Sequence, residues 1–549
     1  MNAADLIIGI LKKEGVEYLP AFPHSDLIDA AARADIRPII VRQERHALHM
    51  ADGYARMNAG RKLCATTVQY GPGSENAIGA VAQCYADNVP LLHIPGGYAR
   101  AEQGVAPNIN VTRTLQGISK WSEFVYQPER IVQMMQNAFA LLRNGRPGPV
   151  VLEVPVDIFT SEVNPRLLED YRPQRRSPSV ANAEEIEFLV DTLLNAKNPV
   201  IVAGQGILYA QASAALTELA ELSRTPLIST LNGKSCFAEN HPLALGCAGG
   251  ARPDAVIHYL EQADLILGLG TSFTHSDYIT PLPTRGKRLL QLTNWEGDIS
   301  KDYPIEHGVI GDARLSIEAM NRLIASRGRG TARDQLATEI ASRRQAFQAE
   351  WQALQHSAET PINPYRVIHE VMQAVDRERT VVTHEAGSPR DQLSPFWESL
   401  APHGYIGWGK TTQLGMSLGL IQGAKLARPD WNAINFMGDA AIGMTAMDFE
   451  TAVRNRIGTT TIVFKNSVMG GYTDYHPDAA AKHQIECLGG DYADLARALG
   501  GHAERVTAPD EILPALERAL AQNADGVPAL LECITSEEKR FARKLPNGL

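Results

Sequence analysis

Two polar residues, each closing an apolar run, carry the clearest chemical signal in the chain. NAINFMGDAA (432–441) reads as a buried strand ending in Gly438-Asp439, and TTTIVFKNS (459–467) as a strand ending in Lys465-Asn466. Between them MTAMDFETAVRNRIG (444–458) reads as a helix with Met444, Met447, Thr451, Ala452 and Val453 on its apolar side. In a βαβ unit both strand ends reach the same edge of a parallel sheet, so Asp439 and Asn466 are expected side by side. One carboxylate, one amide oxygen and a nearby main-chain carbonyl suit a hard octahedral cation that keeps phosphate oxygens among its ligands. Gly438, Ala440 and Ala441 leave room for such a phosphate, and the turn that follows offers free N–H groups. A Gly-Asp pair by itself is more often a turn with a capping aspartate. The pairing with Asn466 is what argues for a site.

A second candidate lies near the N-terminus. In PIIVRQERHALHMADGYAR (38–56) Glu44 reads as ending a buried strand and immediately preceding a helix. A lone glutamate there reads as a helix-start charge stabilised by the macrodipole. As a proton-handling group it would work in an apolar cleft, where desolvation favours a neutral carboxyl. His24 and Ser25 stand in the turn FPHSDL (22–27); His24 reads equally as an ordinary loop histidine or as an acid–base group. In the middle of the chain Gly204-Gln205-Gly206 follows a strand-like run, and a single GxG is weak evidence for a nucleotide.

These residues need sheets to place them. Short β-rich apolar runs alternate with Ala/Leu-rich helical stretches throughout, which argues for parallel sheets covered by helices. Three α/β units are expected, over residues 1–165, 183–325 and 360–549, with polar stretches at 161–182 and SRGRGTARDQ (326–335) as linkers. The 549 residues are 44% hydrophobic and carry a net charge of −10 with no basic run, which argues against nucleic acid or an anionic membrane surface as partner. Six scattered cysteines without a CxxC pair fit reduced thiols in a cytoplasmic protein. The N-terminal apolar run is short and follows Asp5, so it reads as an amphipathic helix rather than a signal peptide; no stretch is long enough to span a bilayer.

Four further segments resemble one family in chain order. RQERHALHMADGYAR (42–56), YGPGSENAIGAVAQCYADNVPLLHIPG (70–96), GRPGPVVLEVPVDI (145–158) and GWGKTTQLGMSLGLIQGAKLARPD (407–430) are similar to segments of thiamine-diphosphate-dependent enzymes of the acetolactate-synthase-like group. The Asp439…Asn466 pair resembles that family's metal motif, with Ala440 and Lys465 replacing a Gly and an Asn. The resemblance implies three doubly wound parallel-sheet domains (pyrimidine-binding, central and diphosphate-binding) and a cofactor held through Mg²⁺ by Asp439, Asn466 and the Val468 carbonyl. It implies Gly387, Ser388, Gly438, Ala440, Ala441, Met469 and Gly470 around the diphosphate. Glu44 would face the aminopyrimidine and promote loss of the cofactor's C2 proton, Leu414 would impose its bent shape, and the Thr412 carbonyl would receive its amino group. His24, Ser25 and Gln69 would join Glu44 as catalytic residues on the substrate side, near Tyr70; Pro72 and Asn76 would contact the cofactor, Asn76 also pointing toward the pocket, with Tyr472 and His476 as a cover or as solvated loop residues.

The activity implied is decarboxylation of a small 2-oxo acid, with or without carboligation. The alternatives are a 2-hydroxyacyl-CoA lyase or an oxalyl-CoA-type decarboxylase, for which the basic C-terminal KRFARKLPNGL would serve the thioester, and a non-enzymatic regulatory paralogue. The presence of Glu44, Asp439 and Asn466 together disfavours the paralogue. FAD is not expected: the carboxylates that would grip its ribose are missing around Thr293 and Asn294. The family's cleft joins two chains, so a homodimer is the minimum unit and a homotetramer a frequent form.

Overall fold

The computed structural model describes residues 1–327, 335–411 and 413–543. Three parallel sheets follow one another along the chain. The first takes β1 (Tyr18–Phe22), β2 (Arg37–Ile40), β3 (Ala65–Val68), β4 (Leu91–His93), β5 (Gly96–Gly97), β6 (Trp121–Phe124) and β7 (Pro149–Pro155), in the order β2-β1-β3-β4-β7-β5 with β6 also on β7. The second takes β8 (Pro199–Ala203), β9 (Leu227–Thr230), β10 (Ala244–Ala248), β11 (Leu265–Leu269), β12 (Arg288–Thr293) and β13 (His307–Ile310), ordered β10-β9-β8-β11-β12-β13. The third takes β14 (Thr380–His384), β15 (Tyr405–Ile406), β16 (Asn432–Gly438), β17 (Thr460–Lys465), β18 (His502–Val506) and β19 (Ala529–Ile534), ordered β15-β14-β16-β17-β19-β18. The central strands are buried along most of their length, polar residues such as Thr66, Thr383, Asn435 and Thr461 included, because helices cover both faces. In each order the chain reverses direction at one pair of neighbours: β1/β3, β8/β11 and β14/β16. Open parallel sheets bind ligands beyond the carboxyl ends of such a pair.

The expected strands of each unit are present, and the strands that periodicity missed have physical reasons. β10, β13, β15 and β18 lie at sheet edges, where one side meets solvent and polar residues enter, as in HAERV of β18. β1 is central but contains Pro20, which argues against a strand when read alone. Residues 161–182 contain only the short helix Arg166–Asp170. The second expected linker, SRGRGTARDQ, falls in large part outside the described residues. Glu44 does not close β2; it is the first residue of the helix Glu44–Met57. The expected 444–458 helix is also different. A helix begins at Asp439 itself, ends at Thr445, passes through a 3₁₀ turn (Ala446–Asp448) and resumes over Phe449–Asn455. The break turns Met444 and Met447 outward, 49% and 46% exposed rather than in the core. No helix among the described residues is long and apolar enough to cross a membrane.

The first and third units meet where the helix Glu44–Met57 runs alongside the helix Met416–Ala427. Glycines make this contact a backbone contact. A Cβ on Gly53 would fall on the Leu420 carbonyl oxygen, and one on Gly423 on the Met50 carbonyl oxygen, far inside van der Waals contact. Both obstacles are main chain and cannot rotate away. Gly423→Ala is therefore expected to cost about 1–3 kcal/mol or more, read as a drop of several degrees in the calorimetric transition. Gly489→Ala, where a Cβ meets nothing within 4 Å, is the control expected to leave it unchanged. An unshifted transition in Gly423→Ala would contradict the contact.

Candidate active site

β16 and β17 are hydrogen-bonded neighbours with Gly438 opposite Phe464, so Asp439 and Asn466 emerge together at the carboxyl edge. Asp439 is buried, and its two carboxylate oxygens accept the Ala440 N–H at 2.9 Å and the Ser467 N–H at 2.7 Å. Burial pushes its carboxyl above the ordinary range, opposed by those two N–H groups and by nearby Lys465. A cation in front of it would offset that desolvation. Asn466 Oδ1 accepts the Val468 N–H at 3.0 Å. The Val468 carbonyl receives no hydrogen bond among the described residues, since the two bonds of the local bridge run Met469 N–H to Glu486 O and Leu488 N–H to Ser467 O. Ser467, between them, has φ of 61°, a left-handed conformation that costs a non-glycine residue about 1 kcal/mol or more. Asp439 and Leu488 pin it from its N–H and its carbonyl. Carboxylate, amide and free carbonyl are oxygen groups of the kind that would suit a divalent cation.

Beside this corner is a cradle of small residues. Gly387 (φ 75°) turns β14 into the helix Ser388–Leu393. A Cβ on Gly438 would reach Pro389 at 4.0 Å, and one on Gly470 would meet only the Ser388 hydroxyl, at 3.7 Å. The structure therefore brings Gly387, Ser388, Gly438 and Gly470 together, with Ala440 and Met469 half-buried beside them and Ala441 packed in the core below. Leu414, half-buried, packs on the cluster of Met437, Ala441 and Ile442. Its turn is braced by Glu385, whose carboxylate accepts the Ser417 N–H at 3.2 Å and hydroxyl at 2.7 Å. Thr412 lies outside the described residues.

The other half is built at the β1/β3 reversal. Glu44 is 6% exposed, and its Oε2 accepts from Asn76 Nδ2 at 3.1 Å. Gly73, on the helix Pro72–Ala86, faces the end of β3: a Cβ there would stand 3.3 Å from the Val68 and Gln69 Cβ atoms and 3.6 Å from Glu44 Oε1. Gln69 and Tyr70 are half-buried, while Pro72, Asn76 and His24 are exposed. Ser25 is committed to structure: its hydroxyl caps the next helix through the Leu27 N–H at 3.3 Å and accepts from Thr67 at 2.9 Å. Tyr472 and His476 meet edge to face 5.4 Å apart after the Ser467 turn, His476 exposed. Within one chain the bonds between the two units include those from Arg42 N–H to Asp448 (2.8 Å) and from Arg45 to the Met444 carbonyl (3.1 Å). Among the described residues none runs from Glu44 to the Asp439 corner.

Sequence reasoning missed one large feature. A cavity of about 430 Å³ opens at the β8/β11 reversal, lined by Gly204 to Gly206, Gly270, Thr293 and Asn294 of the second unit, by Arg143 and Arg146 of the first, and by Lys410 of the third. Five cationic side chains line it against two carboxylates, Asp298 and Asp312. These carboxylates come from turns beyond Thr293 that no local motif marks. Asp298 pairs with Arg146 at 3.1 Å and Asp312 with Arg176 at 2.8 Å. Burial pushes the Lys410 ammonium down to about 8; its described partner is the Ser272 hydroxyl at 3.3 Å. The basic C-terminus, by contrast, is mostly engaged internally: Arg543 with Asp391, Arg540 with Glu350, and Lys539 with Asp474 and Glu537. Lys544 lies outside the described residues.

Comparison with known proteins matches this geometry unit by unit. Residues 1–122 match the family model "Thiamine pyrophosphate enzyme, N-terminal TPP binding domain", residues 186–320 its central domain and residues 385–533 its C-terminal TPP binding domain. Among full-length relatives, the probable acetolactate synthase large subunit of Methanocaldococcus jannaschii is 26% identical, over 100% of this chain and 94% of the relative. Glyoxylate carboligase of Escherichia coli O157:H7 is 27% identical, over 97% and 93%. Sulfoacetaldehyde acetyltransferase of Alcaligenes xylosoxydans xylosoxydans is 26% identical, over 93% and 89%.

Proposed function

Because the chain belongs to the thiamine pyrophosphate enzymes, with acetolactate-synthase-like relatives, we propose that it binds thiamine diphosphate through Mg²⁺ and decarboxylates a small 2-oxo acid, with or without joining the product to a second carbonyl. The observation that carries this reading is the Asp439–Asn466–Val468 corner: three oxygen-bearing groups at adjoining strand ends, beside Gly387, Gly438 and Gly470, at none of which a Cβ would meet an atom closer than 3.7 Å. Asp439, Asn466 and the Val468 carbonyl hold the metal; Gly387, Ser388, Gly438, Ala440, Met469 and Gly470 surround the diphosphate. Bound thiamine diphosphate supplies a carbon nucleophile at C2. Glu44 holds the proton at the aminopyrimidine that makes C2 acidic, oriented by Asn76. Leu414 supports the cofactor's bend. Gln69, with His24 and Ser25, borders the substrate; the Ser25 hydroxyl, already bonded twice, orients rather than reacts.

The reading includes a homodimer as the minimum unit, with Glu44 of one chain facing the Asp439 corner of another, and a homotetramer as a further association. Met444 and Met447 stand exposed beside the Glu44 helix, and a second copy of the chain is the cover that suits them. Unpaired cysteines, buried except for Cys487, and the absence of a basic run fit the cytoplasm and a small-molecule partner. No flavin belongs to the reading, because Asp298 and Asp312 are spent on arginines.

A second reading has its own observation. The cationic cavity reaches Lys410, four residues before Leu414. A long polyanion seated there, such as the nucleotide end of an acyl-CoA, would direct its acyl end toward the cofactor turn, as a 2-hydroxyacyl-CoA lyase or oxalyl-CoA-type decarboxylase requires.

Three outcomes are expected. Thiamine diphosphate with Mg²⁺ at a hundredfold excess over Kd stabilises the protein by about 3 kcal/mol. Asp439→Ala abolishes this shift, and Glu44→Gln keeps it but loses exchange of the C2 proton for deuterium, followed by NMR. Wild-type exchange in Glu44→Gln would remove Glu44 from the reaction. Met444→Glu with Met447→Glu yields monomers by light scattering and loses cofactor binding in step; a monomeric wild type that binds cofactor fully would contradict the shared cleft. For the second reading, calorimetry with CoA, ADP and FAD separately decides. Lys410 carries its charge below about pH 8 and loses it above, so CoA or ADP affinity falls from pH 7 to pH 9, and Lys410→Met flattens that dependence. Binding of neither leaves only the 2-oxo acid reading, and a flavin absorption band in the purified protein overturns the exclusion of FAD.

A further inference from the structure

The helix that opens with Glu44 carries two histidines, His46 and His49, one turn apart on its buried face. Neither exposes any surface. Each meets a glutamine of the third unit: His46 Nε2 lies 2.9 Å from Gln422 Oε1, and His49 Nε2 lies 2.7 Å from Gln413 Oε1. Gln413 directly precedes Leu414. It is held from a second direction as well, its N–H donating to Gln83 Oε1 at 3.2 Å, while Gln83 Nε2 donates to Asp87 Oδ2 at 3.0 Å. Its side-chain amide fills the space that a side chain at Gly79 would need. On the far side, Glu385 accepts from Ser417. The turn carrying Leu414 is thus gripped between His49 and Gln83 of the first unit and Glu385 of its own.

The chemistry of His49 fits a fixed tie. Burial pushes its imidazole down to about 3, the bond to Gln413 opposing this only in part, with the nearby His46 and Arg45 acting in the same direction as burial. The ring is therefore neutral at any working pH. Facing an amide oxygen, it carries its proton on Nε2, which leaves Nδ1 buried and without a partner among the described residues. Packing alone would be served better by an apolar side chain, because a buried unsatisfied nitrogen costs about 1–3 kcal/mol. What the imidazole adds is a directed bond to one residue.

We propose that His49 is a positioning residue: by holding Gln413 it sets the Leu414 turn at the place from which Leu414 shapes the bound cofactor. The proposal rests on the reading of Leu414 as the cofactor's support. A residue that only joins two units would stabilise the fold without setting the reactivity of C2.

The test compares His49→Phe, which keeps bulk and loses the bond, with His49→Gln, whose amide can restore an N–H donor. In the cofactor-free full-length protein, hydrogen exchange by mass spectrometry over residues 413–417 should quicken in His49→Phe and return in His49→Gln, with residues 388–393 unchanged in both. In protein loaded with thiamine diphosphate and Mg²⁺, C2 deuterium exchange should fall about tenfold in His49→Phe, as for a misplaced reacting group, at little cost in cofactor affinity, and recover in His49→Gln. Unchanged exchange at both levels in His49→Phe overturns the proposal. So does a loss that follows the melting temperature equally in both variants. If His49→Phe does not fold, Gln413→Leu removes the same bond and is read the same way. A wild type that binds no thiamine diphosphate refutes the functional reading instead, and the amide exchange of the cofactor-free protein still decides whether His49 holds the turn.

Discussion

The backbone contact between the helices Glu44–Met57 and Met416–Ala427 sets the geometry of most of the candidate site. At Gly53 and Gly423 no side chain separates the two helices, and main chain faces main chain. Such a contact has little tolerance, because a backbone carbonyl cannot rotate out of the way as a side chain can. One helix begins with Glu44 and the other just after Leu414. Fixing their mutual register therefore fixes those two residues relative to each other. The His46–Gln422 and His49–Gln413 pairs act on the same register. Steric exclusion sets the distance, and the two polar pairs set the rotation.

The parts of this arrangement that could be read from the sequence are those governed by local pattern. Central strands covered on both faces keep a largely apolar centre rich in β-branched residues, so β14, β16 and β17 stand out through VV, INFM and IVF, and with them the expectation that Asp439 and Asn466 meet. Edge strands such as β18 and the Pro-containing β1 lack that pattern. Met444 and Met447 illustrate a different failure. Helical spacing puts them on an apolar face, but the chain breaks into a 3₁₀ turn at Ala446 and the face turns outward. The cavity was hidden for a third reason. Its carboxylates, Asp298 and Asp312, and its cation Lys410 come from separate turns and a different unit, and only the fold gathers them. His49 likewise reads as an interior helix position until its partner Gln413 is placed.

The two departures from the family's metal motif are also explained by position. Ala440 contributes its N–H to Asp439 and points a methyl group where glycine would have none; the carboxylate remains in place. Lys465 donates to the Ser467 hydroxyl at 3.3 Å and lies over the Tyr492 ring at 5.5 Å. Neither change touches the oxygen atoms of Asp439, Asn466 or Val468. The left-handed Ser467, whose N–H is held by Asp439, turns the chain between Asn466 and Val468. Strain at one residue is accepted where two hydrogen bonds over-determine its conformation.

The proposed assembly gives the helix contact a further consequence. If Glu44 of one chain faces the Asp439 corner of another, then Glu44 and Leu414 of a single chain serve different clefts, although they are joined in that chain through His49 and Gln413. A displacement of the Leu414 turn when one cleft fills would then be carried along the Glu44 helix to the other. The bond between Arg42 and Asp448 gives a second route, from the end of the Asp439 helix to the residue two before Glu44. Neither route contains a group that must change protonation at working pH in order to act: His49 is held neutral by burial, and the Arg42 bond is donated by a main-chain N–H. Communication between clefts would in that case be mechanical, carried by a rigid helix pair with no side chain at its closest point, and it would be lost with any substitution that pushes the two backbones apart.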